Sequence, residues 1–118
     1  MIVQIPEKAL SLRIFIGEDD KDHGRPLYEA IVLKAREMHL AGATVLRGPM
    51  GYGHSSRLHT TKILRLSQDL PLVIEIVDSE DKINDFLPEL HRLMSSGLIT
   101  LENVRILHYG ANAERAGG

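Results

Sequence analysis

The stretch Leu72–Val77 is apolar at every position except Glu75. A run this short and this apolar suits a strand covered on both faces, near the middle of a sheet. It is bracketed by weaker patterns of two kinds. Ser11–Ile16 alternates, with Leu12, Ile14 and Ile16 on one face and Arg13 and Phe15 on the other, and predicts a strand. Pro26–Leu40 places Leu27, Ile31, Ala35 and Met38 on one helical stripe, widened by Tyr28 and Val32. Proline suits its first turn and Gly42 suits the position past its end. Ala43–Arg47 predicts a second strand. Downstream of Leu72–Val77, Asp78-Ser79 offers an N-cap. Ile83, Phe86, Leu87, Leu90, Leu93 and Met94 follow at helical spacing. Pro88 lies inside that helix and removes a bond to the Asn84 carbonyl, and Ser95-Ser96-Gly97 ends it. Leu98–Asn103 is expected as a turn or loop and Val104–Tyr109 as the last strand. Residues 1–10 fit an edge strand stopped by Pro6, and Gly110–Gly118 a flexible tail.

The order strand, helix, strand, strand, helix, strand is the split β-α-β arrangement of ferredoxin-like α+β domains. In it, two helices cover one face of a four-stranded antiparallel sheet, and the first and third strands are central. A single domain over residues 1–110 with a tail at 111–118 is expected, and the length of 118 residues agrees. The uncovered face is expected to carry Arg13, Phe15, Val73, Glu75, Val77, Leu107 and Tyr109. That mixture is too apolar to stand in water as one patch, so it is expected to be buried between subunits, with ion pairs among Arg13, Glu75 and Arg105.

Composition narrows the chemistry. A net charge of −2 gives no general attraction to nucleic acid or anionic membranes. With no cysteine, disulfides, thiolate metal sites and cysteine nucleophiles are excluded. No apolar run is long enough to span a bilayer. The start, Met1–Pro6, lacks the basic and apolar regions of a signal peptide, and a cytoplasmic protein is expected.

Two segments carry candidate chemistry. Arg47–Arg57 holds Gly48, Gly51 and Gly53 within six residues, with His54, two serines and arginines at both ends. Turned backbone N–H groups and a guanidinium fork suit an anion, most simply a phosphate. Glycines of an unliganded hairpin are the alternative. The segment is neither a Walker loop nor a dinucleotide fingerprint. It opens a long basic connection, Gly48–Leu70, of a length that commonly serves function. The second segment, Gly17–Arg25, groups Glu18, Asp19, Asp20, Asp22 and His23. It suits either solvation or a hard cation, although it matches no EF-hand spacing. No nucleophile–base pairing is legible, and a non-catalytic protein is expected.

The strings Leu12-Arg13-Ile14-Phe15-Ile16-Gly17-Glu18-Asp19-Asp20, Gly24-Arg25-Pro26-Leu27-Tyr28-Glu29-Ala30-Ile31, Ala41-Gly42-Ala43-Thr44-Val45 and Arg47-Gly48-x-x-Gly51-Tyr52-Gly53 resemble the DUF190 family of PII-like proteins, over residues 11–109. The resemblance implies ferredoxin-like subunits in a homotrimer, with an adenine nucleotide between neighbours and no obligatory cofactor or metal. It also implies a loop after the second strand that reaches a partner, often a membrane transport protein. The implied ligand residues are Arg47, Gly48, Met50, Gly51, Gly53, His54 and Arg57 at the loop base, Gly97 and Thr100 in the turn after the second helix, and Arg105. That turn reads Gly97-Leu98-Ile99-Thr100-Leu101-Glu102, without the clustered glycines and lysine of a triphosphate grip, so AMP or ADP is favoured over ATP. A metal- or ion-responsive trimer, as among divalent-cation-tolerance proteins, is the alternative.

Overall fold

A computed structural model describes residues 8–52 and 69–110. Its elements are β1 (Lys8–Gly17), β2 (Lys21–Asp22), β3 (Arg25–Pro26), α1 (Leu27–Glu37), β4 (Thr44–Arg47), β5 (Pro71–Asp78), α2 (Glu80–Leu93) and β6 (Leu98–Arg105). The four long strands form one antiparallel sheet in the order β4-β5-β1-β6. The two strands expected at its centre, β1 and β5, are there. This is the ferredoxin-like α+β arrangement.

Register explains the core. Leu12 faces Ile76 and Ile14 faces Ile74, so both strands turn their aliphatic side chains to the same face. Those residues pack in one buried cluster with Leu27, Ile31 and Ala35 of α1 and Ile83, Phe86 and Leu90 of α2. Both helices therefore cover that face. The alternate positions Arg13, Phe15, Val73 and Glu75 belong to the opposite face, where Arg13 Nε donates to Glu75 at 2.8 Å. The expected Arg13–Glu75 ion pair forms within one chain.

Several boundaries depart from the sequence expectations. The polar segment after β1 is not loop throughout, because β2 and β3 make a miniature hairpin across His23-Gly24. Both turn residues have positive φ, 51° and 83°, as a type I′ turn requires. Helix α1 begins at Leu27, with Pro26 as its N-cap, and ends at Glu37 rather than Leu40. Its stop is not Gly42 but His39, at φ 62°. His39 N–H donates to the Arg36 carbonyl and Leu40 N–H to the Ala35 carbonyl, both at 3.0 Å. That is a Schellman closure, with Leu40 folded back onto the core. Helix α2 begins as expected, with the Ser79 hydroxyl accepting from Lys82 N–H at 3.3 Å, and Pro88 lies inside it.

The last strand is Leu98–Arg105, not Val104–Tyr109. Ile99 faces Ile14 and Leu101 faces Leu12, and pairing stops where Arg105 meets Lys8, the first described residue of β1. Leu107 and Tyr109 are therefore outside the sheet, although they still border its open face beside Glu75 and Val77. Within the sheet, Leu98, Thr100 and Glu102 share that face, opposite Phe15, Arg13 and Ser11.

Asp78 ends β5 as a buried carboxylate. Its oxygens accept from Ala41 N–H at 2.8 Å and Ser79 N–H at 2.7 Å, so it joins the approach to β4 to the start of α2. Lys82 Nζ adds a bond to the His39 carbonyl at 2.7 Å.

The left-handed backbone at His39 is one that a side chain occupies at a cost glycine does not bear. His39→Gly is expected to raise unfolding free energy by about 0.5–1 kcal/mol, net of the extra freedom of glycine in the unfolded chain. Phe86→Ala, at a fully buried position, is expected to lower it by about 3–5 kcal/mol. Urea titration followed by circular dichroism checks both.

Candidate functional site

The glycine-rich turn leaves the sheet at the end of β4. Gly48 N–H donates to the Pro71 carbonyl at 2.8 Å. A Cβ on Gly48 would lie 3.0 Å from Pro71 Cγ, and one on Gly51 3.1 Å from the same atom. Both glycines therefore let the turn close over the first residue of β5. This packing is sufficient reason for glycine at each position and leaves the turn compact enough to present its backbone. Met50 and Tyr52 stand out from it, 60% and 78% exposed. Gly53, His54 and Arg57, expected to complete the cradle, lie outside the described residues, as does most of the Gly48–Leu70 connection.

The acidic segment after β1 holds the base of that connection on both sides. The Glu18 carboxylate accepts from Arg47 Nη2 at the end of β4. Glu18 N–H donates to the Leu70 carbonyl at 2.8 Å, and Asp19 N–H to Asp69 Oδ1 at 2.9 Å. Burial pushes the Asp69 carboxyl above its usual range. The charges of Asp19, Asp20 and Glu18 push the same way, against the hydrogen bond from Asp19. The other carboxylates have separate duties. Asp20 Oδ2 accepts from Gly17 N–H at 3.0 Å, and Asp22 takes His23 Nδ1 at 3.0 Å and Arg25 at 3.9 Å. Among the described residues, no group of three or more His, Asp or Glu is placed to hold a metal ion.

Gly97 immediately precedes the opposite edge strand, β6. Its φ is +114°, and a Cβ there would approach the Phe15 carbonyl oxygen to 2.9 Å and Met94 Cε to 2.7 Å. The tight turn from α2 into β6 requires this glycine whatever the turn binds. Thr100 lies exposed on the open face opposite Arg13. Arg105 is at the far end of β6 from Gly97.

Beyond Arg105 the chain turns toward the start of β4. Ile106 to Tyr109 and Ala41 to Thr44 wall an open cleft of about 610 Å³, floored by Glu75 and Val77 of β5 and reached by Arg105. A second groove of about 520 Å³ lies across Tyr109, between the end of α1 and Lys82 of α2. Thr44, Glu75 and Val77 were not singled out as site residues from the sequence. Their only signal is the small-residue run Ala41-Gly42-Ala43 before a strand, which reads equally as a helix stop.

Within one chain, then, the expected ligand residues fall into three places. Arg47, Gly48, Met50 and Gly51 are on the β4 edge, Gly97 and Thr100 on the β6 edge, and Arg105 at the opposite end of β6. Three inter-strand steps, about 14 Å, separate the edges.

Comparison with known proteins agrees with this fold. The family model of DUF190, an "Uncharacterized ACR", matches residues 9–106, and the chain belongs to that family. A UPF0166 protein of Aquifex aeolicus is 42% identical over 106 residues, 90% of this chain and 99% of the relative. One of Methanocaldococcus jannaschii is 37% identical over 100 residues, 84% and 92% of the two chains. Among solved structures, a PII-like signalling protein of Thermus thermophilus superposes with a TM-score of 0.61 at 16% identity, over 92% of this chain and 94% of the other. A nitrogen regulatory PII-like protein of Thiomonas intermedia, CPII, solved with ADP and bicarbonate, gives 0.62 at 15% identity over 84% and 88%. The chain is thus a DUF190 protein with a PII-like fold. Among the described residues no helix is long and apolar enough to cross a membrane.

Gly97→Ala tests the structural role of that turn. The positive φ and the Phe15 carbonyl together are expected to lower stability by about 2 kcal/mol or more, seen as an earlier thermal transition without any ligand.

Proposed function

We propose that this protein is a non-catalytic, PII-like cytoplasmic regulator that binds an adenine nucleotide, AMP or ADP, in clefts between the subunits of a homotrimer. The observation that carries this reading is the separation of the two loop-like candidates. The Arg47–Gly51 segment and the Gly97–Thr100 segment, the latter mostly strand rather than the expected turn, lie on opposite edges of a single sheet. They form one pocket only where the β4 edge of one subunit meets the β6 edge of the next. The open face supports association. Leu46 and Leu98 are each about half exposed on it, next to the partly covered Phe15, Val73 and Val77.

The phosphate end of the ligand fits the Gly48–Gly51 turn and Arg47, where a guanidinium fork meets a glycine-rich turn. The Thiomonas intermedia CPII structures, which contain ADP and in some cases AMP, support the choice of ligand. Occupancy is reported through the Gly48–Leu70 connection to a partner protein, such as a membrane transport protein. Such a signal requires the ligand to favour one state of the connection over another.

Isothermal titration with AMP, ADP, ATP, cyclic AMP and cyclic di-AMP is expected to show saturable binding of AMP or ADP. Arg47→Ala should weaken it roughly tenfold or more, the loss of a charged hydrogen-bond donor. Light scattering should return the mass of three chains. No heat with any of the five nucleotides would overturn the proposal, and a monodisperse monomer would overturn the inter-subunit site.

A further inference from the structure

Arg47 does not wait free for a ligand. Its guanidinium is already paired with the Glu18 carboxylate, so an anion that takes Arg47 meets a cation whose partner is in place. The pair is held unequally. The Glu18 side chain is 24% exposed and the Arg47 side chain 57%. Glu18 is also fixed through its backbone, by the bond from its N–H to the Leu70 carbonyl at 2.8 Å. Its neighbour Asp19 is fixed in turn to Asp69 at 2.9 Å. The carboxylate is thus anchored at the root of both limbs of the long connection, while the guanidinium faces outward.

We infer that Glu18 is an internal competitor for the anion site, occupying Arg47 in the empty protein and being displaced when a phosphate-bearing ligand binds. The inference rests on the nucleotide reading above and adds a determinant of affinity to the same site. Displacement removes the cation from Glu18 while Asp19, Asp20 and Asp69 remain close by. An incoming anion therefore works against the charge of Glu18 and against the loss of an existing ion pair. Glu18 holds Arg47 through Nη2, so one of the guanidinium forks that could take a phosphate is already occupied. The opposition grows with the negative charge that the ligand brings to Arg47. A neutral ligand such as adenosine escapes it.

Glu18→Gln keeps the size and an acceptor oxygen but removes the charge. Titration calorimetry of the wild type, Glu18→Gln, Arg47→Ala and the double variant is done with adenosine, AMP, ADP and pyrophosphate. Glu18→Gln is expected to bind ADP roughly two- to fivefold more tightly, the scale of an exposed ion pair. AMP should gain less and adenosine nothing. The gain should vanish in the Arg47→Ala background.

If ADP binds wild type and Glu18→Gln equally, the competition is refuted and the nucleotide reading stands. An equal gain with and without Arg47 refutes it as well. If adenine nucleotides bind neither protein, but pyrophosphate gains from Glu18→Gln only when Arg47 is present, the competition stands and the nucleotide reading falls. If nothing binds any variant, both fall. Should Glu18→Gln melt out of the folded range, Glu18→Asp keeps the charge but shortens its reach. It carries the same expectation at smaller size.

Discussion

The antiparallel ladder between β1 and β5 is the constraint on which the other elements depend. Ile14 opposite Ile74 and Leu12 opposite Ile76 give the sheet a continuous aliphatic face with no polar interruption. The apolar stripes of both helices have no other surface of that size to cover, so they end on the same side. Once β1 and β5 fill the centre, β4 and β6 are left as edges. The division of candidate ligand residues between two edges follows from the same choice. The centre of the fold thereby keeps the candidate ligand residues of one chain on separate edges.

Around the root of the long connection, packing and electrostatics converge on a few residues. Pro71 sets how closely the Gly48–Gly51 turn can approach the sheet. Glu18 and Asp19 hold the returning limb through backbone bonds and the outgoing limb through Arg47. The turn between β1 and β2 is thus bonded to both limbs.

The sequence made the centre of the fold legible because burial there is two-sided. Leu72–Val77 admits few readings, and Phe86 and Leu90 fall on a stripe that only a helix makes. Legibility failed where the deciding partner is distant in the chain. Val104–Tyr109 and Leu98–Arg105 both carry a strand-like pattern, and only pairing with β1 selects the latter. An edge strand exposed along much of its length carries little pattern of its own. His39, not Gly42, stops α1 because the Schellman bonds choose the position and the residue there accepts the strain. The glycine cluster was visible, but the contact of Gly48 and Gly51 with Pro71 was not. Nor was the grip of Glu18 on Arg47, which joins residues 29 positions apart.

The topology has a consequence for how the chain reaches this structure. Both strands that flank β1 come from far along the sequence, as the Arg13–Glu75 pair, 62 positions apart, illustrates. No hairpin of neighbouring segments can start the main sheet from β1, so chain must be looped out before its first ladder bond forms. Assembly of this kind is slower than that of a helical bundle, whose contacts are local. The entropy of such a closure grows only with the logarithm of loop length, about 0.6 kcal/mol for each doubling. The stretch between β4 and β5 is therefore free to change in length and sequence across relatives with little penalty to folding. The fold can be retained while that stretch diverges.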